Sequence, residues 1–471
     1  MDAVSLKNQG NKLFGEGRLA EAIKCYTKAI ELDPENAIFY SNRSFAYLKL
    51  EDYGFAIEDA TKAIEKNPKY PKGYYRRAVA HMALYQPKEA LKDFKNAVRY
   101  APNDKSALQK SQECEKLVRR IRFEEAIQAE EPPSALEGIN IEDMDVPTDY
   151  DGVRLEGKMT EEFIRDFIQR FKDGKRMPLK YVYWILREIK AFYEQEPSLV
   201  EVAVENDEEL VVCGDTHGQF FDLLNIFETN GAPSPKKKYL FNGDFVDRGS
   251  WSTEVALLLY SYKLLYPDNM FINRGNHETN DMNKMYGFEG ECKAKYNERT
   301  YRIFSETFVA LPLATLIGKH YLVLHGGLFS KDTVTLDDIR KFDRLQRKQP
   351  GQSGIMMEML WTDPQPNAGR GPSKRGVGLQ FGPDITKKFC ELNNLKAVIR
   401  SHEVRQDGYE VEHDGRLITV FSAPNYCDTT GNMGAVIHIQ STYELKFAQF
   451  SAVPHPNVRP MAYASGLLGL M

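Results

Sequence analysis

The chain has 471 residues, of which 42% are hydrophobic and 27% charged, and its formal net charge is -5. That length exceeds one ordinary compact core and calls for two to four domains. The composition is that of a soluble globular protein, and the acidic balance argues against a general nucleic-acid-binding surface while leaving room for local basic grooves. Six dispersed cysteines (Cys25, Cys114, Cys213, Cys292, Cys390 and Cys427) include no CxxC pair, which points to free thiols in a reducing compartment. The N-terminus has no basic-then-apolar signal pattern, and the most apolar run, from Val255, is too short and too polar to span a bilayer. The expectation is a monomer of the cytoplasm and nucleus, with no membrane span and no nucleic-acid partner.

The first hundred residues repeat. Ala22, Ala56 and Ala90 are spaced by 34, as are Ala29, Ala63 and Ala97, and Pro34, Pro68 and Pro102. Small alanines let paired helices approach closely, and a proline ends the second helix of each pair because it has no amide donor. This period resembles the tetratricopeptide repeat. It predicts an all-α superhelix over residues 1–122, with repeats at 3–36, 37–70 and 71–104 and a following helix. Three stacked units bury the apolar faces that one cannot, and they leave a concave groove. On the first helices, Asn8, Asn42 and Arg76 occupy equivalent positions, with Lys7, Asn11 and Lys72 nearby. Cationic and amide groups on one surface suit a peptide carboxylate; an ordinary solvated helix face is the alternative. Lys7, Asn11, Asn42, Lys72 and Arg76 match the carboxylate clamp of co-chaperone tetratricopeptide domains. The resemblance implies a receptor for the Glu-Glu-Val-Asp tail of heat-shock protein 90.

From Phe123 to Asp151 the chain carries ten acidic residues and no Lys or Arg, with consecutive prolines at 132–133. This predicts an extended, poorly packed linker over 123–151; an acidic segment docked on a basic site is the alternative. Beyond it, helical patterns precede short apolar strands, and five of these strands end in polar clusters. "LVVCGDTHGQ" carries Asp215 and His217. "KKYLFNGDFVDRGS" carries Asp244, Asp247 and Arg248. "NMFINRGNHE" carries Arg274, Asn276, His277 and Glu278. "YLVLHGGL" carries His325, and "KAVIRSHE" carries Arg400 and His402. A lone Asp beside Gly is usually a turn, but five such clusters at strand ends position reactive groups on a rigid base. Carboxylates, imidazoles and an amide suit manganese, iron or zinc rather than a thiolate site. Cys213, inside a strand, reads as buried packing.

The ordered set GDTHG, GDFVDRG, GNHE, HGG and RSHE resembles the phosphoprotein phosphatase family of metallophosphoesterases, and "SAPNYC" from Ser422 resembles its protein serine/threonine phosphatase branch. The resemblance covers nearly all of 155–460. It implies an α/β domain over 152–460, a β-sandwich flanked by helices, with a C-terminal regulatory helix at 461–471. It also implies two divalent ions, manganese or iron with zinc. Asp215 and His217 would bind the first, Asp244 would bridge both, and Asn276, His325 and His402 would complete the second. Phosphoserine and phosphothreonine proteins would be hydrolysed by direct attack of a dimetal-bound hydroxide. His277 would act as general acid with Asp247 orienting it. Arg248, Arg375, Asn276 and Tyr426 would contact the phosphate, and Arg400 is read as a further site-lining group rather than a structural pair. Asn273 stands where the family usually has an apolar residue, and its expected effect is on packing.

The resemblance further implies autoinhibition by the repeats. Glu51 would pair with Arg248 or Arg375 in place of substrate phosphate, and chaperone tails or fatty acids bound to the repeats would release it. Two rival readings are a related dinucleotide polyphosphate hydrolase, which shares the GD, DRG and GNHE cores, and an inactive chaperone adaptor, which the complete ligand set disfavours.

Overall fold

The computed structural model describes residues 1–127 and 133–464. The described residues divide into two compact units: 1–127 with 372–380, and 133–371 with 381–464.

In the first unit the helices are α1 (Ala3–Gly15), α2 (Leu19–Leu32), α3 (Ala37–Lys49), α4 (Tyr53–Lys66), α5 (Pro71–Ala83), α6 (Pro87–Tyr100) and α7 (Lys105–Ile127). The spaced alanines explain their close pairing. Ala22, Ala29, Ala56, Ala63, Ala90 and Ala97 are all buried, at most 1% exposed. Side chains on opposite helices can therefore interlock over a small contact. A second periodic feature binds the stack. Arg43 donates to both carboxylate oxygens of Asp59, at 2.7 and 2.8 Å, and to Thr27 Oγ1 at 2.9 Å. Thirty-four residues later Arg77 donates to Asp93 at 2.7 and 2.9 Å and to Thr61 at 3.0 Å.

In the second unit, α8 (Glu161–Lys172) and α9 (Leu179–Gln195) lead into β1 (Leu199–Val202) and β2 (Glu209–Cys213). There follow α10 (Phe220–Asn230), β3 (Lys237–Asn242), α11 (Ser252–Leu265), β4 (Met270–Asn273), α12 (Asn280–Tyr286), α13 (Phe288–Lys295) and α14 (Glu298–Ala310). Strands β5 (Ala314–Ile317) and β6 (Tyr321–Leu324) precede the short β7 (Asp363–Pro364), β8 (Arg370–Pro372) and β9 (Leu379–Phe381). The chain closes with β10 (Ala397–Arg400), β11 (Tyr409–Glu412), β12 (Leu417–Val420), β13 (Gly434–Ile439) and β14 (Leu445–Phe450).

The two larger sheets among the described residues have the orders β1-β5-β6-β10-β12-β11 and β14-β13-β2-β3-β4. Leu210 and Val212 of β2 pack with Val323, Ile399 and Val420 of the other sheet. The alternate residues Val211 and Cys213 pack with the helices, against Phe163, Ile185 and Val255. A strand buried on both faces reads as a continuous apolar run, as β2 does. The run from Val255 is α11, a core helix with Val255 to Tyr260 fully buried. Among the described residues no helix is long and apolar enough to cross a membrane.

The connector departs from expectation. Residues 133–151 belong to the second unit, with Ala135 and Ile141 buried in its core and Leu136, Ile139, Met144 and Val146 packed against it. Its charges dock on basic partners. Glu142 meets Arg187 at 2.8 Å, and Asp151 meets Arg170 at 2.6 Å. Acidic composition concealed the apolar residues that hold this segment down, so the second unit begins at 133 rather than 152. Of the expected C-terminal helix, Met461–Ala464 form a turn and the remainder lies outside the described residues.

Candidate metal centre and phosphate site

Five strand ends of the second unit bring their polar clusters together, because β2, β3 and β4 run parallel in one sheet and β6 and β10 run parallel in the other. Their loops follow the same edge. The turns are tight: His217, Asp244, Asp247, Arg248 and His402 all have positive φ, between 41° and 72°. Such backbone is costly for non-glycine residues and persists where surrounding structure over-determines it. Gly275 is required by close approach, since a Cβ there would lie 2.2 Å from Asp244 Oδ1.

Hydrogen bonds knit the loops together. His402 N donates to Asp215 Oδ1 at 3.1 Å, and His277 N donates to Asp244 Oδ1 at 2.8 Å. The Glu278 carboxylate accepts from the amides of Asp244, Phe245 and Gly275 at 2.7–2.9 Å. Burial pushes its pKa up to about 8, and the like charge of Asp244 adds to this. Glu278 thus holds the Asp244 turn, a role that its place in GNHE did not by itself reveal.

The geometry fits two cations. His217 Nδ1 faces the Val246 carbonyl at 3.1 Å, and His325 Nδ1 faces the Asn242 carbonyl at 2.9 Å. A ligating histidine ordinarily commits one ring nitrogen to such an acceptor, which fixes the other toward the metal. His217 Nε2 lies 3.6 Å from Asp215 Oδ2 and 3.8 Å from Asp244 Oδ2. His325 Nε2 lies 3.1 Å from Asp244 Oδ2, 2.9 Å from Asn276 Oδ1 and 3.1 Å from His402 Nδ1. Two groups of candidate ligands emerge, His217 with Asp244 and His277, and Asp244 with His325 and His402. Asp244 belongs to both. Burial opposes its charge, but the nearby His325, His277 and His217 hold its carboxyl well below the usual range. His325 is also disfavoured as a cation by burial, yet Asp244 and Asp215 push its pKa up to about 9. Acids and imidazoles packed this closely suit a borderline divalent cation.

His277 Nδ1 lies 2.9 Å from Asp247 Oδ2. Asp247 is itself held by Asn283 Nδ2 at 3.1 Å and the Phe288 amide at 2.8 Å. The His277 and His217 rings meet edge to face, with centroids 4.8 Å apart, and Tyr426 lies 5.1 Å from His217. Arg248 stacks on Tyr286, its guanidinium 4.1 Å from the ring centroid. Arg400 corrects an expectation. It is fully buried, donating to the Gly326 carbonyl at 2.6 Å, to Asp363 at 3.0 Å and to Glu403. Its guanidinium is a structural pair beneath the loops, not a phosphate ligand.

In the first unit, Asn42 Nδ2 donates to Asn11 Oδ1 at 3.1 Å, and Arg76 reaches Asn42 Oδ1 at 3.5 Å. Arg76 and Lys72 line a cavity of about 430 Å³ with Phe45, Leu48, Tyr75 and Val79. Lys7 lies one turn before Asn11 on α1. Glu51 follows α3 with a φ of 62°. Arg375 lies in the 372–380 segment of this unit, its amide donating to Ser373 Oγ at 3.0 Å. The paired Arg43 and Arg77 went unread in the sequence, although the spacing of 34 that reveals the alanines reveals them too.

Residues 209–406 match the calcineurin-like phosphoesterase family, 10–51 and 71–104 match tetratricopeptide repeats, and 111–201 match the PPP5 TPR repeat region. Serine/threonine-protein phosphatase T of Schizosaccharomyces pombe is 70% identical over 100% of this chain and 99% of its own length. Human serine/threonine-protein phosphatase 5 is 54% identical, with 99% of this chain and 94% of the relative covered. A solved protein serine/threonine phosphatase of Saccharomyces cerevisiae, described as similar to human phosphatase PP5, covers 65% of this chain and 100% of its own. Its TM-score is 0.62 at 51% identity. With relatives this similar over both units, the chain belongs to the serine/threonine-protein phosphatase 5/T family and is a protein serine/threonine phosphatase.

Proposed function

We propose that this phosphatase works at a two-metal centre held by Asp215, His217, Asp244, Asn276, His325 and His402, and that its repeats recruit the C-terminal tail of heat-shock protein 90 and restrain turnover. The observation that carries the first part is Asp244, common to both ligand groups. When bound, manganese, or iron with zinc, would supply Lewis-acid stabilisation of the phosphoryl oxygens and a nucleophilic water at neutral pH.

The chain's own residues do the rest. Arg248, oriented by stacking on Tyr286, offers paired donors to two phosphate oxygens, joined by Asn276, Arg375 and Tyr426. With Asp247 accepting from Nδ1 of His277, the Nε2 side carries the proton delivered to the leaving serine or threonine oxygen. Asp247 keeps the ring oriented before and after transfer. His277 stands within reach of His217 and Asp244, but its bond to Asp247 favours acid chemistry over ligation.

For the repeats, the Asn11–Asn42–Arg76 chain and Lys72 offer donors to a terminal carboxylate, and Lys7 adds charge. The apolar walls of the cavity suit the tail's valine, or fatty acids. Glu51 would restrain the site by pairing with Arg248 or Arg375 in place of phosphate. The enzyme would act in the cytoplasm and nucleus. The test is phosphate release from a phosphoserine peptide in manganese, for the full chain and for residues 133–471. A faster fragment supports restraint by the repeats, and equal rates remove it. Inactivity of both with metal present removes the mechanism. Glu51→Ala must raise basal activity if its contact is assigned correctly, and Lys72→Ala must weaken the acidic tail without slowing peptide turnover. A dinucleotide tetraphosphate preferred over the phosphopeptide would return the rival hydrolase reading.

A further inference from the structure

Asn273 is fully buried at the end of β4, where an amide is costly unless every polar atom is paired. All of its hydrogen-bonding atoms are used. Nδ2 donates to Asn242 Oδ1 at 2.9 Å and to the Val323 carbonyl at 3.2 Å, and Oδ1 accepts from Thr315 Oγ1 at 2.8 Å. Asn242 is equally occupied, its Nδ2 donating to the Leu324 carbonyl at 2.8 Å and to Ser401 Oγ at 2.9 Å. The four side chains form one buried chain, Thr315 to Asn273 to Asn242 to Ser401. Asn273 and Asn242 stand on one sheet, whereas Thr315, Val323 and Leu324 belong to the other. The network therefore bridges the two sheets through polar contacts inside an otherwise apolar interface.

Its position beneath the site gives it a chemical consequence. Leu324 and Ser401 immediately precede His325 and His402, and the Asn242 carbonyl receives His325 Nδ1 at 2.9 Å. We infer that Asn273 is a positioning residue for the second metal site: by locking the Asn242 side chain between the sheets, it holds the carbonyl that orients His325 Nε2 toward Asp244, Asn276 and His402. An apolar residue at 273 would leave Asn242 Oδ1 and Thr315 Oγ1 without this partner, and Asn242 would be released to rotate or shift. A network whose members are all satisfied specifies geometry in a way that apolar packing does not. A positioning role is thereby added to the effect on packing expected of Asn273.

This inference rests on the two-metal reading above. The test is equilibrium dialysis of the full chain against manganese, with kcat and KM measured beside it, for wild type, Asn273→Leu and Thr315→Val. Partners in the outer shell of a metal site typically contribute 10–100-fold to affinity. Asn273→Leu is therefore expected to bind one of two manganese ions about 10–100-fold more weakly, to lose kcat at subsaturating metal, and to keep KM for the phosphopeptide. Thr315→Val, which removes one bond of the network, should show the same loss at smaller size. A folded Asn273→Leu protein that binds both ions with wild-type affinity overturns the inference, even if its melting temperature falls. Should Asn273→Leu fail to fold, unchanged affinity in Thr315→Val overturns it and weakened affinity at one site supports it. Wild type that binds no manganese overturns the metal reading itself, and this inference with it.

Discussion

The two units use polar side chains in opposite ways. In the repeats, Arg43 and Arg77 make the same contacts one period apart, each to an aspartate and a threonine 16 residues away. In the second unit, the histidines of the site come from four separate loops with no repeating spacing, and His402 meets Asp215 across 187 residues. A stacked array contacts only its neighbours, so its sequence period is its spatial period. A site at converging strand ends draws its groups from several loops far apart in sequence, and its supports have no period to betray them.

The largest expected effect breaks the second arrangement at its reacting end. His277→Ala should lower kcat on a phosphoserine peptide by about 10²–10⁴-fold, the usual contribution of a general acid, while circular dichroism remains that of wild type. An undiminished kcat would remove His277 from the proton path.

Two of the buried arginines of the second unit, Arg400 and Arg248, should separate next. Arg400→Ala removes the cation paired with Asp363 and Glu403, and breaking a buried pair costs about 3–5 kcal/mol. Denaturant unfolding should show it as lost stability. Arg248→Ala should instead reduce kcat/KM, by about 1.5–3 kcal/mol for hydrogen bonds to a charged group. If Arg400→Ala were stable and kinetically impaired, Arg400 would return to the phosphate site.

The periodicity of the first unit has its own test. Arg43→Ala and Arg77→Ala should destabilise the repeats to similar extents, about 3 kcal/mol each from the loss of a mostly buried pair, read by thermal melting. Unequal losses would show that the repeats share geometry without sharing energetics.

The smallest effect concerns pH. His455 contacts Asp428 at 3.1 Å and stacks edge-on against Trp251. Partial burial opposes its charge, but the Pro456 carbonyl and Asp428 outweigh it and raise its pKa. A raised folded pKa means that this contribution is fully present below the ordinary histidine value of about 6.5 and is lost as pH rises through the folded value. Hydrogen exchange of residues 451–464 should therefore quicken modestly between pH 6 and 8, beyond the intrinsic rate change. His455→Gln should remove the excess.

Much of the site was legible because a metal ligand must be one of few residue types and because GD, GNHE and HGG put those types beside glycines at strand ends. The helix pairs were legible for a different reason, the recurring small residues. What escaped was decided by burial. Arg400 stands two residues before His402 in a motif of reactive groups, and only the depth of β10 shows it to be paired inward with Asp363. The connector reads as an acidic tether, yet Ala135 and Ile141 sit in the core, with the Ala135 amide donating to Glu306 of α14 and Glu142 paired with Arg187 of α9.

The sequence by itself determined the repeat stack, the order of the strands' reactive loops and the identity of the candidate ligands, since these follow from period and from residue chemistry. Tertiary structure alone decided which polar groups reach a substrate and which hold the scaffold. Asn273, Asn242 and Glu278 are chemically equal to the groups that face the site. They differ in lying where two sheets or two loops close over them, and an enclosed polar atom is committed to its protein partner because no water can replace it.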